Sequence, residues 1–246
     1  MSGETIKKRL EWDKVGERFY ETGVDRGVLY PRAANGSYPL GVAWNGLTKV
    51  NENPSGGEST KLYANNGTYL DLRSAEENAG SISAYTYPDE FAECDGSVTV
   101  GPGFKIRQQI RKAFGFCYRT LIGNDVDDTS KGYKLHLIYG ATAKPSSREN
   151  NTVNDSPEAV ELSWDYETVP VPISTQVGGK TLKPTASLEF DSTDPNLPDG
   201  FLEALEDILY GKDGIDDAAT DPYLPLPDDI ITLYNQYANP TQQGEH

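Results

Sequence analysis

A mainly β fold is predicted for this 246-residue chain: an antiparallel β-sandwich or barrel with a short flanking helix, then an acidic helical extension at the C-terminus. Three observations carry that expectation. Apolar and polar residues alternate through much of residues 20–173, the period-2 mark of strands that bury one face and wet the other. Turn dipeptides punctuate the alternation, with Asn-Gly at 35–36, 45–46 and 66–67 and Gly-Gly at 56–57. The charge, finally, is unevenly divided. Residues 1–185 hold 24 acids against 21 bases, net −3, whereas residues 186–246 hold 14 acids against the single base Lys212, net −13. The chain therefore divides into a nearly neutral β domain, 1–185, and an acidic extension, 186–246.

In chain order, strands are expected at Val24–Tyr30, Leu40–Val50, Lys61–Leu72 and Ser81–Tyr87. A short helix follows at Pro88–Glu93, then a strand at Ser97–Val100. Between Phe114 and Ile122 the even positions Phe114, Phe116, Tyr118 and Ile122 share a face. Between Tyr133 and Tyr139 the odd positions do so: Tyr133, Leu135, Leu137 and Tyr139. Between Ala159 and Thr168 the apolar face is Val160, Leu162, Trp164 and Tyr166, set against Glu161, Ser163, Asp165 and Glu167. Two segments, 51–60 and 141–157, are rich in Asn, Ser and Pro without periodicity, and are expected as long loops of the interaction-arm kind. In the extension, residues 201, 202, 205, 208 and 209 fall on one helical stripe, with Asp199 available as N-cap and Gly211 as a left-handed stop. A second helix of about three turns is expected from Pro227, burying Ile230, Ile231 and Tyr234, with fraying after Asn239.

The net charge of −16 excludes a basic nucleic-acid binder, which needs cations to neutralise phosphates, and disfavours a polybasic membrane-surface protein. No apolar run approaches the roughly 18–20 residues of a spanning helix. Catalytic chemistry is sparse. The histidines are His136 and His246, and His136 falls on the polar side of its strand, where a half-exposed structural imidazole is expected. No Gly-x-Ser-x-Gly elbow or phosphate-binding Gly-Lys-Ser/Thr occurs. Asp125, Asp127 and Thr129 have calcium-loop spacing, but Ser130 and His136 stand where that loop needs Gly and Glu. Cys94 and Cys117 have no metal or disulfide spacing and read as small hydrophobes. No catalytic residue, cofactor or metal ligand is assigned, and the chain is not expected to be an enzyme.

Several segments, taken in order, resemble the major tail (tail tube) proteins of long, non-contractile-tailed bacteriophages. They are Phe19-Tyr-Glu-Thr-Gly-Val-Asp-Arg-Gly-Val-Leu-Tyr-Pro31, Gly41-Val-Ala-Trp-Asn-Gly-Leu-Thr48 and Tyr85-Thr-Tyr-Pro-Asp-Glu-Phe-Ala-Glu-Cys-Asp-Gly96. Further along come Phe114-Gly-Phe-Cys-Tyr-Arg-Thr120, Leu137-Ile-Tyr-Gly140, Asn154-Asp-Ser-Pro-Glu-Ala159, Leu205-Glu-Asp-Ile-Leu-Tyr-Gly211 and Leu224-Pro-Leu-Pro-Asp-Asp229. The resemblance implies a tail-tube-type subunit that self-assembles into homo-hexameric rings, stacked into a hollow tube in the virion and assembled in the bacterial host cytoplasm. It implies as partners a tape measure protein, a tail terminator and distal tail or baseplate proteins. DNA would pass through the lumen without specific binding.

On that resemblance, Glu161, Asp165 and Glu167 are candidate lumen-facing acids, with an ordinary outer solvated face as the alternative. Lys134, His136 and Arg119, on wet faces of other strands, are candidate partners for them across the sheet. A second function class stays open: a non-catalytic carbohydrate- or partner-binding β-sandwich module, with Tyr63, Tyr85, Tyr87 and Trp44 as an aromatic platform. A glycosidase resting on a carboxylate pair is a third.

Overall fold

The computed structural model describes residues 9–74, 76–150, 152, 159–214 and 219–239. It is mainly β, with an antiparallel sheet and three short helices. Among the described residues the strands are β1 (Tyr20–Pro31), β2 (Val42–Trp44), β3 (Leu47–Glu52), β4 (Ser55–Gly56), β5 (Ser59–Ala64), β6 (Gly67–Arg73), β7 (Glu76–Glu77) and β8 (Ala79–Ala84). They continue as β9 (Ser97–Gly101), β10 (Phe104–Arg107), β11 (Phe114–Asn124), β12 (Asp128–Ala143), β13 (Leu162–Thr168), β14 (Gln176–Val177), β15 (Lys180–Thr181) and β16 (Ser187–Asp191). The helices are α1 (Phe91–Cys94), α2 (Phe201–Tyr210) and α3 (Pro227–Ala238). Of these, β4, β7, β10, β14, β15 and β16, each two to five residues long, fall outside the strands expected from alternation.

Eight strands form one antiparallel sheet in the order β2-β1-β11-β12-β13-β8-β3, with β16 also paired to β12. The end strands of that path, β2 and β3, are consecutive in the chain across the Asn45-Gly46 turn, so the sheet curls. Its long strand β12 serves two partners along one edge. Lys134–Ile138 pair with Ser187–Asp191 of β16, and Ala141–Ala143 pair with Tyr166–Thr168 of β13. The change of partner falls at Gly140, whose φ of 61° is left-handed. A Cβ there would sit 2.2 Å from the Val169 carbonyl oxygen, so only glycine lets the strands approach.

Both faces of the sheet centre are buried, which corrects the expectation of one wet face. Leu29, Trp44, Ile82, Phe114, Phe116, Tyr118, Ile138, Trp164 and Tyr166 form a core inside the curl, capped by Phe91 and Cys94 of α1. The intervening side chains Val28, Tyr30, Cys117, Leu135, Leu137 and Tyr139 form a second core on the opposite face. That face is covered by Phe201, Leu202, Leu205 and Leu209 of α2 and Ile230 of α3. The charge boundary at 185/186 is therefore not a break in the sheet, because β16 belongs to it and both helices pack on it.

Tyrosine hydroxyls fasten the helices. Tyr30 donates to the Leu209 carbonyl at 2.7 Å, satisfying an acceptor that the last turn of a helix leaves open, and Tyr139 donates to the Pro225 carbonyl at 2.9 Å. Asp199 does not cap α2: Gly200, at φ 77°, occupies that position with no side-chain cap. Gly211 does end α2, but at φ 79° and ψ 163° rather than in the left-handed α region. In α3, Pro227 takes the first position and the Asp229 carboxylate accepts from the Leu226 N–H at 3.2 Å. Ile230 is buried as expected and Ile231 half-buried, while Tyr234 is exposed and meets Phe201 edge-on at 5.2 Å. The expected fraying beyond Asn239 lies outside the described residues.

Candidate assembly surface

Residues 47–84 fold as one long antiparallel ribbon. Its root, β3 with β8, lies in the main sheet; β4 with β7 and then β5 with β6 extend it outward. The reversal needs only Asn65 and Asn66, at φ 52° and 63°, the pair of left-handed residues that a tight hairpin of matching twist requires. Breaks in the ribbon are bridged: Asn53 N–H donates to the Ala79 carbonyl at 2.7 Å, and Ser74 N–H to the Glu58 carbonyl at 3.0 Å.

From Asn51 to Glu77 every described residue is exposed. The arm is nonetheless patterned. Leu62 stands opposite Leu70, and Leu72 opposite Thr60, giving one face three leucines; Lys61 opposite Asp71 and Ser59 opposite Arg73 lie on the other. Tyr63 and Tyr69 are also exposed, at 72% and 69%. Residues 51–60, expected as a loop, thus supply strands β4 and the start of β5. Alternation does not reveal them because Asn, Ser, Gly and Pro crowd residues 51–60 and leave no apolar period to read. Of the other expected loop, 141–143 belong to β12, residues 144–150 are exposed, and most of 151–158 lie outside the described residues.

A second two-stranded ribbon, β9 with β10, also leaves apolar side chains outside. Val98 stands opposite Ile106, with Val100 and Phe104 nearby, and all four are exposed. Its inner end is tied down by Lys105 to Asp89 at 2.8 Å and Arg111 to Asp95 at 3.3 Å.

The candidate lumen residues Glu161, Asp165 and Glu167 lie on the exposed side of β13 and its approach, opposite buried Trp164 and Tyr166. Their partners are not those expected. Glu161 accepts from the Thr48 hydroxyl, and Glu167 pairs with Lys144. Arg119 instead makes a two-pronged contact with Asp25, at 2.8 and 2.7 Å, and its guanidinium stacks on Tyr133 at 4.9 Å. Lys134 sits between Glu21 and Glu189. His136 is buried, not half-exposed, because its ring stacks flat on Tyr118 at 4.5 Å while Nε2 meets the Thr120 hydroxyl at 3.0 Å. Burial pushes its pKa below the usual histidine value, against the pull of Glu52, Glu189 and Glu21. Glu52, at the arm's root, also accepts from the Tyr118 hydroxyl, so this cluster joins arm to body.

Of the candidate aromatic platform, Tyr63 and Tyr85 are exposed, whereas Trp44 is core, packed on Phe91 at 4.6 Å. Trp164 is core as expected. Burial holds the thiols of Cys94 and Cys117 up to about 12, so they are inert hydrophobes at neutral pH. No family model matches the chain, and no curated protein matches it.

Proposed function

We propose that this chain is a structural virion protein, the major tail tube subunit of a long-tailed bacteriophage, self-assembling into stacked hexameric rings around a lumen. One observation supports the reading above the rest: an arm, Asn51–Glu77, whose leucine face has no cover among the described residues. Exposed apolar ribbons of this kind are aggregation hazards unless another chain shelters them, and head-to-tail contacts between copies make rings or filaments. The β9–β10 ribbon adds a second uncovered apolar face, and the resemblance of the ordered sequence segments supplies the particular assembly. On this reading Glu161, Asp165 and Glu167 are acids facing the passing genome, and Glu167 engages the neighbouring Lys144 rather than leaving it to the phosphates.

Electron microscopy of the purified chain at rising concentration tests the proposal, with a variant in which residues 55–77 are replaced by a two-residue Asn-Gly turn. Rings or hollow tubes from the parent, and folded monomers from the variant, are expected. Tubes of unchanged yield from the variant would overturn the arm's role. A parent that stays monomeric at every concentration and binds glycans through Tyr63 and Tyr85 would favour the carbohydrate-binding module instead.

A further inference from the structure

The three Asn-Gly pairs serve the fold as turns, yet each is also a latent ring closure. A glycine nitrogen, with no neighbouring side chain to hinder it, is well placed to attack the amide carbon of the preceding asparagine. The structure separates the three sites. Asn35 Oδ1 accepts from the Ser37 N–H at 3.1 Å and the Ser37 hydroxyl at 2.7 Å, while Gly36 N–H donates to the Ala33 carbonyl at 2.9 Å. At Asn45, the Gly46 carbonyl accepts from Tyr85 N–H at 2.9 Å, and a Cβ on Gly46 would already press on Thr86 at 3.2 Å. The first pair is held by bonds within its own turn, and the second is tied to the body through the Gly46 carbonyl.

Asn66 is not. It is exposed at the tip of the arm in a left-handed conformation that costs a residue with a side chain, and no hydrogen bond from the described residues holds its amide. Nothing lies within 4 Å of where a Cβ on Gly67 would be. Gly67 stands opposite Ala64 in the pair that closes the ribbon, so freeing its nitrogen requires opening the tip alone. A two-stranded ribbon without a core opens readily.

We propose that Asn66 is a site of spontaneous covalent modification that gives the arm an age-dependent charge. The Gly67 nitrogen loses its proton and bonds to Asn66 Cγ; the Cγ–Nδ2 bond breaks and the nitrogen leaves as ammonia. Water then opens the cyclic imide. Cleavage at Cγ yields aspartate, and cleavage at the backbone carbonyl yields isoaspartate, with no change of oxidation state. Either product adds a carboxylate to an arm, 51–77, that already holds five acids against two bases, net −3. Isoaspartate also inserts a methylene into a two-residue turn, whose geometry sets the Leu62–Leu70 register.

The test is to incubate the full chain at mildly alkaline pH, digest it, and follow each Asn-Gly peptide by mass spectrometry, with isotopically labelled water marking the new oxygen. Conversion at Asn66 should outpace that at Asn35 by at least about fivefold, the factor set by one net hydrogen bond on the asparagine amide that Asn66 lacks, and should exceed that at Asn45, whose glycine is crowded by Thr86. The Asn66→Gln variant should lose the change at the tip alone. Equal or faster conversion at either body site overturns the assignment. The measurement reads the isolated chain, so its outcome is independent of whether tubes form.

Discussion

Asp228 shows how much one side chain can organise at the surface. It stands in the first turn of α3, and its carboxylate accepts from the Ser174 hydroxyl at 2.6 Å, from Ser174 N–H, and from Thr175 N–H at 2.9 Å. The Ser174 hydroxyl first, then these backbone donors, hold its pKa far below the ordinary carboxylate value. A depressed carboxylate contributes stability that is present above the unfolded pKa, about 4, and is lost as pH falls below it. Acid unfolding of the parent should therefore contain a component that Asp228→Asn removes. At neutral pH that variant should lose about 1 kcal/mol, solvent screening included, measured by urea denaturation. An unchanged acid limb would show that the loop at 174–175 is held by other contacts. None of this was legible beforehand, since Asp228 is one of 38 acids and its partners lie more than 50 residues away.

At the scale of elements, β12 carries the architecture. Its odd residues were assigned to one apolar face from alternation alone, and Leu135, Leu137 and Tyr139 do share a core. Alternation could not show that the other face is buried too, because His136 is polar and its shelter comes from Tyr118 on the neighbouring strand. Nor could it show the exchange of partner at Gly140. Replacing Gly140 with alanine forces a strained φ and drives a methyl into the Val169 carbonyl. The expected loss is at least about 2 kcal/mol, seen as a lower denaturation midpoint with an unchanged slope. A neutral result would mean that β12 tolerates a straight path. The arm is the opposite case: Lys61–Leu72, expected as strand, is the β5–β6 hairpin, whereas residues 51–60 beside it, rich in Asn, Ser, Gly and Pro, offer no alternation to read.

For the whole molecule, the second core makes the acidic segment integral. Removing residues 200–246 would uncover Tyr30, Tyr38, Cys117, Leu135, Leu137 and Tyr139 together. Such a truncation should aggregate or bind a hydrophobic dye strongly, whereas a dispensable appendage would leave a soluble, cooperatively folding 1–199 fragment; gel filtration and dye fluorescence distinguish the two. Among the described residues, the acids of α2 and α3 lie away from the apolar inner stripes that these helices press on the sheet.

By itself the sequence determined the mainly β class, most of the long strands, and the helical stripe at 201, 202, 205, 208 and 209. These are local periodicities that burial imposes on residues close together in the chain. Only the tertiary structure decided which acids meet which bases, that β16 completes the sheet, and that the sheet has two covered faces. It also decided that the arm stands uncovered. Those outcomes depend on residues tens to more than a hundred positions apart, and no local pattern encodes which distant surface a given face will find.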